Sequence, residues 1–82
     1  MNEDLVMALI QAEYYRAVRD HGPLRSPHEG YGVLLEEVDE LWEAVRLKPS
    51  NPERKEAMRR EAVHVAAMAL QFLMDCCERE EE

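Results

Sequence analysis

The sequence has few of the features that join distant segments covalently or carry a chain across a membrane. Its only cysteines, Cys76 and Cys77, are adjacent, so they cannot link remote segments and are expected to be reduced thiols or, at most, an intersubunit contact. The longest apolar stretch, residues 62–74, is interrupted by His64 and Gln71. It is too short to span a bilayer.

Basic residues are also scarce. The amino terminus begins Met1-Asn2-Glu3-Asp4 and lacks the positive start of a secretory signal, which predicts a cytoplasmic location. The formal net charge is −8, which disfavours a nucleic-acid backbone or an anionic membrane as partner. An anionic small molecule that arrives with a divalent cation remains compatible with this charge.

The sequence also lacks strand-like alternation and internal repeats, and its apolar residues follow helical periodicity. The pattern predicts an all-α fold with one domain over residues 1–82 and three main helices at about 3–20, 27–47 and 52–79. A core built from 82 residues is marginal for a chain standing alone. We therefore expect a helical bundle that is completed by oligomerisation, as a dimer or a tetramer. The acidic tail, 78–82, is expected to fray.

The predicted helix ends rest on capping residues. Gly22-Pro23 ends the first helix, and Ser26-Pro27 with Glu29 begins the second as an N-cap, a first-turn proline and a capping box. Asn51-Pro52 is expected to begin the third in the same way.

The second helix carries two further features. Gly30 and Gly32 weaken its first turns, which favours close packing of the backbone against a neighbour or an approaching ligand. Tyr31 and Trp42 could stack on a base or fill the core, and the position of Trp42 in the apolar stripe favours the core.

Acidic side chains cluster at helical spacing in two places. Glu36, Glu37 and Glu40 share one turn of the second helix, and Glu61 and His64 share one turn of the third. Either the Glu-rich turn is a solvated surface or its carboxylates hold a cation. Glu61 stands at the head of an apolar run, where a carboxylate must be protonated, paired or metal-bound. His64 is either a ligand or a core histidine satisfied by one hydrogen bond.

If these two helices pack antiparallel, the two acidic turns converge. Carboxylate oxygens suit Mg²⁺ or Mn²⁺. Zinc is disfavoured because the chain has no Cys/His cluster.

The arrangement Glu36-Glu37-x-x-Glu40, followed after residues 41–60 by Glu61-x-x-His64, resembles the signature of the MazG-like all-α nucleoside triphosphate pyrophosphohydrolases. The flanking sequence segments, residues 26–31, 35–42 and 61–70, are similar to those of the short stand-alone members of this family from phages and bacteria. The resemblance covers about residues 23–75.

The resemblance implies an oligomeric helical bundle that binds Mg²⁺ and hydrolyses a nucleoside or deoxynucleoside triphosphate between the α- and β-phosphates. The products are the monophosphate and pyrophosphate. Carried over by position, the metal ligands are Glu36, Glu37, Glu40, Glu61 and His64, and Glu36 or Glu37 orients the attacking water.

His64 departs from the family pattern, which has aspartate at this position. The change removes a negative charge, so the site is expected to hold fewer metal ions, to prefer Mn²⁺ or to be catalytically weak. Candidate substrate-binding residues are Tyr31 and the basic side chains around the start of the third helix, namely Lys48, Arg54, Lys55 and Arg59. The alternative for these basic residues is surface ion pairing.

Two other functions stay open. One is a weak or inactive MazG-like helical module that acts by protein binding or nucleotide sensing. The other is a purely structural helical dimer, which neither metal nor nucleotide would stabilise.

Overall fold

A computed structural model describes residues 1–79, which form helices and no strand. The helices are α1 (Glu3–His21), α2 (Pro27–Val45) and α3 (Arg54–Phe72), and α3 continues into a π-helical turn, Leu73–Cys77. The predicted all-α class with three main helices is therefore confirmed for the described part of the chain. None of these helices combines the length and the apolar character that a membrane span requires.

The cap residues fix the ends of the first two helices. Asn2 accepts a hydrogen bond from the Leu5 amide (2.9 Å) at the start of α1. Gly22 ends α1 with φ of +75°, and its N–H donates to the Val18 carbonyl oxygen (2.9 Å). A positive φ is readily adopted by glycine, which is why α1 ends here.

Ser26 begins α2 as predicted, and its Oγ accepts from the Glu29 amide (3.0 Å). The Glu29 carboxylate accepts in turn from the Arg25 amide (3.2 Å), one residue earlier than a regular capping box. At the other end α2 stops at Val45, two residues before the predicted end. The Arg54 guanidinium donates to the Val45 carbonyl oxygen (3.2 and 3.1 Å) and so satisfies a terminal acceptor.

The start of α3 differs from the prediction. Asn51 Oδ1 accepts from the Glu53 amide (2.8 Å), so Asn51 closes a local turn, and α3 begins only at Arg54. The side chain of Asn51 satisfies a turn instead of the first turn of the helix, an alternative that Asn offers the backbone.

The end of α3 differs as well. The α-helix ends at Phe72 and the backbone widens into the π-helical turn, closed by a bond from the Glu78 amide to the Leu73 carbonyl (2.9 Å). Glu78 and Arg79 form a bend after it. The fraying predicted for residues 78–82 falls mostly on 80–82, which lie outside the described residues.

Helix α3 lies at the centre and packs against both α1 and α2. Glu13 of α1 lies beside His64, and Gly22, just after α1, lies beside Gln71, so α1 runs parallel to α3. Gly30 of α2 lies beside Phe72, and Val45 bonds to Arg54, so α2 runs antiparallel to α3. The antiparallel α2–α3 packing is the arrangement that the acidic turns need in order to meet.

The interior is made mainly of small side chains. Its buried apolar residues are Ala17, Leu24, Ala44, Ala57 and Ala67, and no large side chain in residues 1–79 is fully buried. Small side chains let helices approach closely but bury little apolar area.

The prediction of a core position for Trp42 is wrong, because 57% of this residue is exposed. The apolar residues of α2 divide between two faces. Leu34 and Leu41 are half-buried and Ala44 is buried on one face, whereas Val38 and Trp42 are exposed on another. The broad apolar pattern had merged these two faces into one stripe.

Close packing is confirmed at Gly30 and wrong at Gly32. A Cβ atom at Gly30 would lie 2.7 Å from Phe72 Cδ2, whereas one at Gly32 would meet nothing within 4 Å.

Candidate metal centre

Four predicted ligands meet where α2 crosses α3. Glu37, Glu40, Glu61 and His64 each offer one ligand atom, and these atoms all lie within 4.8 Å of one another. Because Glu37 and Glu40 are on one turn of α2, and Glu61 and His64 on one turn of α3, each helix supplies two ligands at i,i+3 spacing. We call these four residues the acidic cluster.

His64 lies at the centre of the acidic cluster. Its Nδ1 is 3.4 Å from Glu61 Oε2 and 3.5 Å from Glu37 Oε2. Its Nε2 is 3.6 Å from Glu13 Oε2 of α1. All three distances exceed that of a normal hydrogen bond, so the carboxylates surround the imidazole without hydrogen bonding to it.

Two of these carboxylate oxygens are buried without a partner. Glu37 Oε2 and Glu61 Oε2 are inaccessible to solvent and accept no hydrogen bond from any residue in the described range. The side chains are 23% and 13% exposed. A buried carboxylate oxygen without a donor is costly, and a cation bound between the two would satisfy both. The donor set therefore fits a divalent cation.

Burial affects the protonation of Glu37. Loss of water around its carboxyl group raises the pKa above its usual value, and the nearby carboxylates of Glu40 and Glu61 raise it further, against an opposing effect of His64. A bound cation would reverse this direction because it favours the ionised form.

Glu13 is a member of this neighbourhood that the sequence analysis missed. A hydrogen bond from Arg16 lowers the pKa of Glu13, burial opposes that shift, and His64 adds to it. A signal for Glu13 exists in the sequence, since it lies on the inward stripe of α1 between Ile10 and Ala17, where an acidic residue interrupts apolar spacing.

A cavity of about 370 Å³ opens beside the acidic cluster, between α1 and α2. Glu13, Arg16, Glu37 and His64 line one part of it, and apolar residues of all three helices, including Val33 and Met68, line the rest. Its volume and its mixture of apolar walls with a few charged groups are typical of small-molecule sites.

Glu36 does not join the acidic cluster. It is exposed and is absent from the set of convergent ligand atoms. Glu36 and Glu37 are successive residues of α2, about 100° apart around its axis, so only one of the two can point toward α3.

Most of the residues predicted to bind substrate lie away from the acidic cluster, but Arg59 lines a groove together with Glu13 and His64. Arg54 bonds to the end of α2, Arg59 pairs with Glu56, Lys48 and Lys55 are exposed, and Tyr31 lies beside Phe72 on a different surface. Two further cations adjoin the acidic cluster, namely Arg16, which lines the cavity, and Arg60, whose Nε donates to Glu61 Oε1 (3.1 Å).

The chain is thus an all-α protein in which a central helix carries a histidine surrounded by carboxylates from two neighbouring helices. Comparison with protein-family models, with curated proteins and with solved structures gives no match. The MazG-like assignment stays a prediction that rests on the motif.

Proposed function

We propose that the protein is a metal-dependent nucleotide pyrophosphohydrolase that acts as a homo-oligomer. It would cleave a nucleoside triphosphate between the α- and β-phosphates to give the monophosphate and pyrophosphate. The observation that carries this proposal is the pair of buried, unpartnered oxygens of Glu37 and Glu61, which face one imidazole beside a cavity.

The acidic cluster holds the cation in this proposal. Three carboxylates favour Mg²⁺ or Mn²⁺, and the single imidazole shifts the preference toward Mn²⁺. When bound, such a cation neutralises phosphate charge and lowers the pKa of a coordinated water.

In this proposal Glu13 orients His64, and Arg16 binds a phosphate group of the substrate. Glu13 is the carboxylate beside Nε2 of His64 (3.6 Å), the position from which carboxylates commonly orient metal-bound histidines. Arg16 reaches the cavity wall and supplies positive charge for a phosphate group.

The test is a turnover assay of the purified chain with common nucleoside and deoxynucleoside triphosphates, with Mg²⁺ and separately with Mn²⁺. Monophosphate and pyrophosphate are the expected products, with higher rates in Mn²⁺. Glu61→Gln removes a ligand charge but keeps the shape of the side chain, and we expect at least a 100-fold loss of kcat/KM.

Glu43→Gln is the matched control, since Glu43 is an exposed glutamate of α2 that pairs only with Arg46 among the described residues. Its rate should equal that of the wild type. Equal turnover in Glu61→Gln and the wild type would refute the proposed site.

A second function is favoured by one specific observation. Glu36 stands outside the acidic cluster and His64 replaces an acidic ligand, so the site has fewer negative charges than the motif implies. A nucleotide-sensing module would bind Mn²⁺ and nucleotide, detected as a higher Tm with both, but release no product in the same assay.

A further inference from the structure

Five apolar residues on α2 form a seam that the rest of the described chain does not cover. Tyr31, Leu35, Val38, Trp42 and Val45 follow one another at intervals of four, three, four and three residues, and all five are exposed. This is the alternating spacing of a coiled-coil contact line. We call these five residues the outer seam.

The outer seam is distinct from the face of α2 that packs inside the chain. Leu34 and Leu41 are half-buried, Ala44 is buried, and Gly30 lies against Phe72 of α3. The chain thus uses small and medium side chains for its own core and leaves its single tryptophan and Tyr31, which is 63% exposed, on a face about 100° further around the helix.

The area of the outer seam matches what a modest helix pair requires. If an aromatic side chain has an area of about 150–250 Å², the exposed parts of Tyr31 and Trp42 alone amount to roughly 200–300 Å². The three aliphatic residues bring the patch to the several hundred Å² that mark interaction sites. A two-fold pairing counts this patch twice, to roughly 1,000 Å², which is below the roughly 1,200–2,000 Å² of standard interfaces and in the range of weak, transient pairs.

The order of side-chain sizes along the outer seam selects the direction of pairing. A parallel pair would put Trp42 against Trp42 and Val38 against Val38, so that some layers are crowded and others are underfilled. An antiparallel pair centred on Val38 sets Trp42 opposite Leu35 of the partner subunit and Tyr31 opposite Val45 of the partner subunit. Large residues then meet smaller ones in each outer layer, as a well-packed interface requires, and the opposed helix dipoles attract.

We propose that α2 packs antiparallel against α2 of a second copy of this chain through the outer seam. The contact is isologous, with the two-fold axis passing beside Val38. Because the area is below that of standard interfaces, the dimer dissociates on dilution.

Trp42 reports on this contact directly, since it is the only tryptophan. Sedimentation equilibrium of the full chain over a range from millimolar to nanomolar should give a dimer that becomes a monomer. The fluorescence emission of Trp42 should shift to the red as the protein is diluted over the same range. A monomer at all concentrations, with unchanged red emission, overturns the proposal and leaves the outer seam to a different protein.

Substitutions locate the contact. Trp42→Glu should raise the dimer Kd by at least 100-fold, whereas Met7→Glu on α1, a residue 59% exposed, should leave it unchanged. Retention of the dimer in Trp42→Glu overturns the proposal. Far-ultraviolet circular dichroism verifies that each variant is still helical.

Disulfide cross-linking tests whether the two α2 helices pair antiparallel, even if Trp42→Glu does not fold. In a Cys76→Ser, Cys77→Ser background, Tyr31→Cys and Val45→Cys chains are mixed with an added oxidant. The antiparallel pair predicts a mixed disulfide between the two variants. Disulfides formed only between identical variants would show a parallel pair and overturn the proposal.

Discussion

At the scale of single residues, two neighbouring glycines of α2 have opposite surroundings. Gly30 lies where Phe72 and Leu24 leave no room for a Cβ atom, whereas Gly32 faces open space. Glycine therefore has a packing role at the first position only.

Alanine substitutions should separate the two positions. Gly30→Ala forces the Phe72 ring to move and should lower the free energy of unfolding by about 1–3 kcal/mol. Gly32→Ala should raise it by up to about 1 kcal/mol, because alanine is the better helix former. Urea denaturation measures both, and a gain in stability for Gly30→Ala would contradict the close contact.

Glu37 should show a pH-dependent effect on stability. Its pKa is raised in the folded chain, so ionisation disfavours folding. This destabilisation is absent below the pKa that Glu37 has in the unfolded chain and complete above the pKa that it has in the folded chain. In metal-free buffer near neutral pH, Glu37→Gln should therefore raise Tm. The gain should disappear in acid.

The measurement is Tm against pH in the presence of a chelator, with Glu43→Gln as the exposed control. A lower Tm for Glu37→Gln at neutral pH would show that the carboxylate is stabilising without metal. Added Mn²⁺ should then raise the Tm of the wild type more than that of Glu37→Gln.

At the scale of elements, the π-helical turn fastens the loop between α1 and α2. Asp75 Oδ2 accepts from the Leu24 amide (2.8 Å) and from Gln71 Nε2 (3.3 Å), and Gln71 also donates to the Gly22 carbonyl oxygen (3.0 Å). Gln71 is buried, so these bonds are shielded from water.

Asp75→Ala should break this fastening. It leaves the Leu24 amide and one donor of Gln71 unpaired, which should cost about 1–3 kcal/mol in the free energy of unfolding. Glu78→Ala, an exposed acidic residue just after the π-helical turn, is the control and should change it little. Equal urea midpoints for the two variants would refute a stabilising role for Asp75.

Local signals predict most of this architecture. They fail once locally, at Asn51, which closes a turn instead of capping α3, and otherwise where the answer depends on a neighbouring helix. Gly22 and Ser26 locate helix ends because capping is decided within a few residues. Periodicity places Trp42 near an apolar face but cannot say which face meets α3. The Asp75–Leu24 contact spans 51 residues, and no local pattern predicts it.

The same limit applies to the candidate site. Glu37, Glu40, Glu61 and His64 could be chosen from helical spacing and the family resemblance, because two short motifs encode them. Glu13 has only the local signal of an acidic residue in the inward stripe of α1, because its role depends on α1 lying parallel to α3, beside His64.

At the scale of the whole molecule, charge and metal binding are coupled. The formal net charge is −8, and the acidic cluster adds local repulsion between α2 and α3. Any salt should therefore stabilise the chain somewhat by screening, and a specific cation should stabilise it further.

Mn²⁺ and NaCl at equal ionic strength distinguish the two effects. A ligand that binds only the native state at 100 times its Kd contributes about 2.7 kcal/mol, so Tm should rise well above its value in NaCl and fall back on addition of a chelator. Glu61→Gln should respond to both salts alike. The same Tm in Mn²⁺ and NaCl for the wild type would mean that the cluster binds no cation specifically.

The fastened loop has one further consequence. Leu24 lies in a connection between helices, where amide protons usually exchange with solvent within seconds. The N–H of Leu24 donates to the carboxylate of Asp75 in the π-helical turn, and Leu24 is buried. In a hydrogen–deuterium exchange experiment Leu24 should therefore exchange as slowly as the helical interior, and its amide should lose this protection whenever the end of α3 separates from the rest of the molecule.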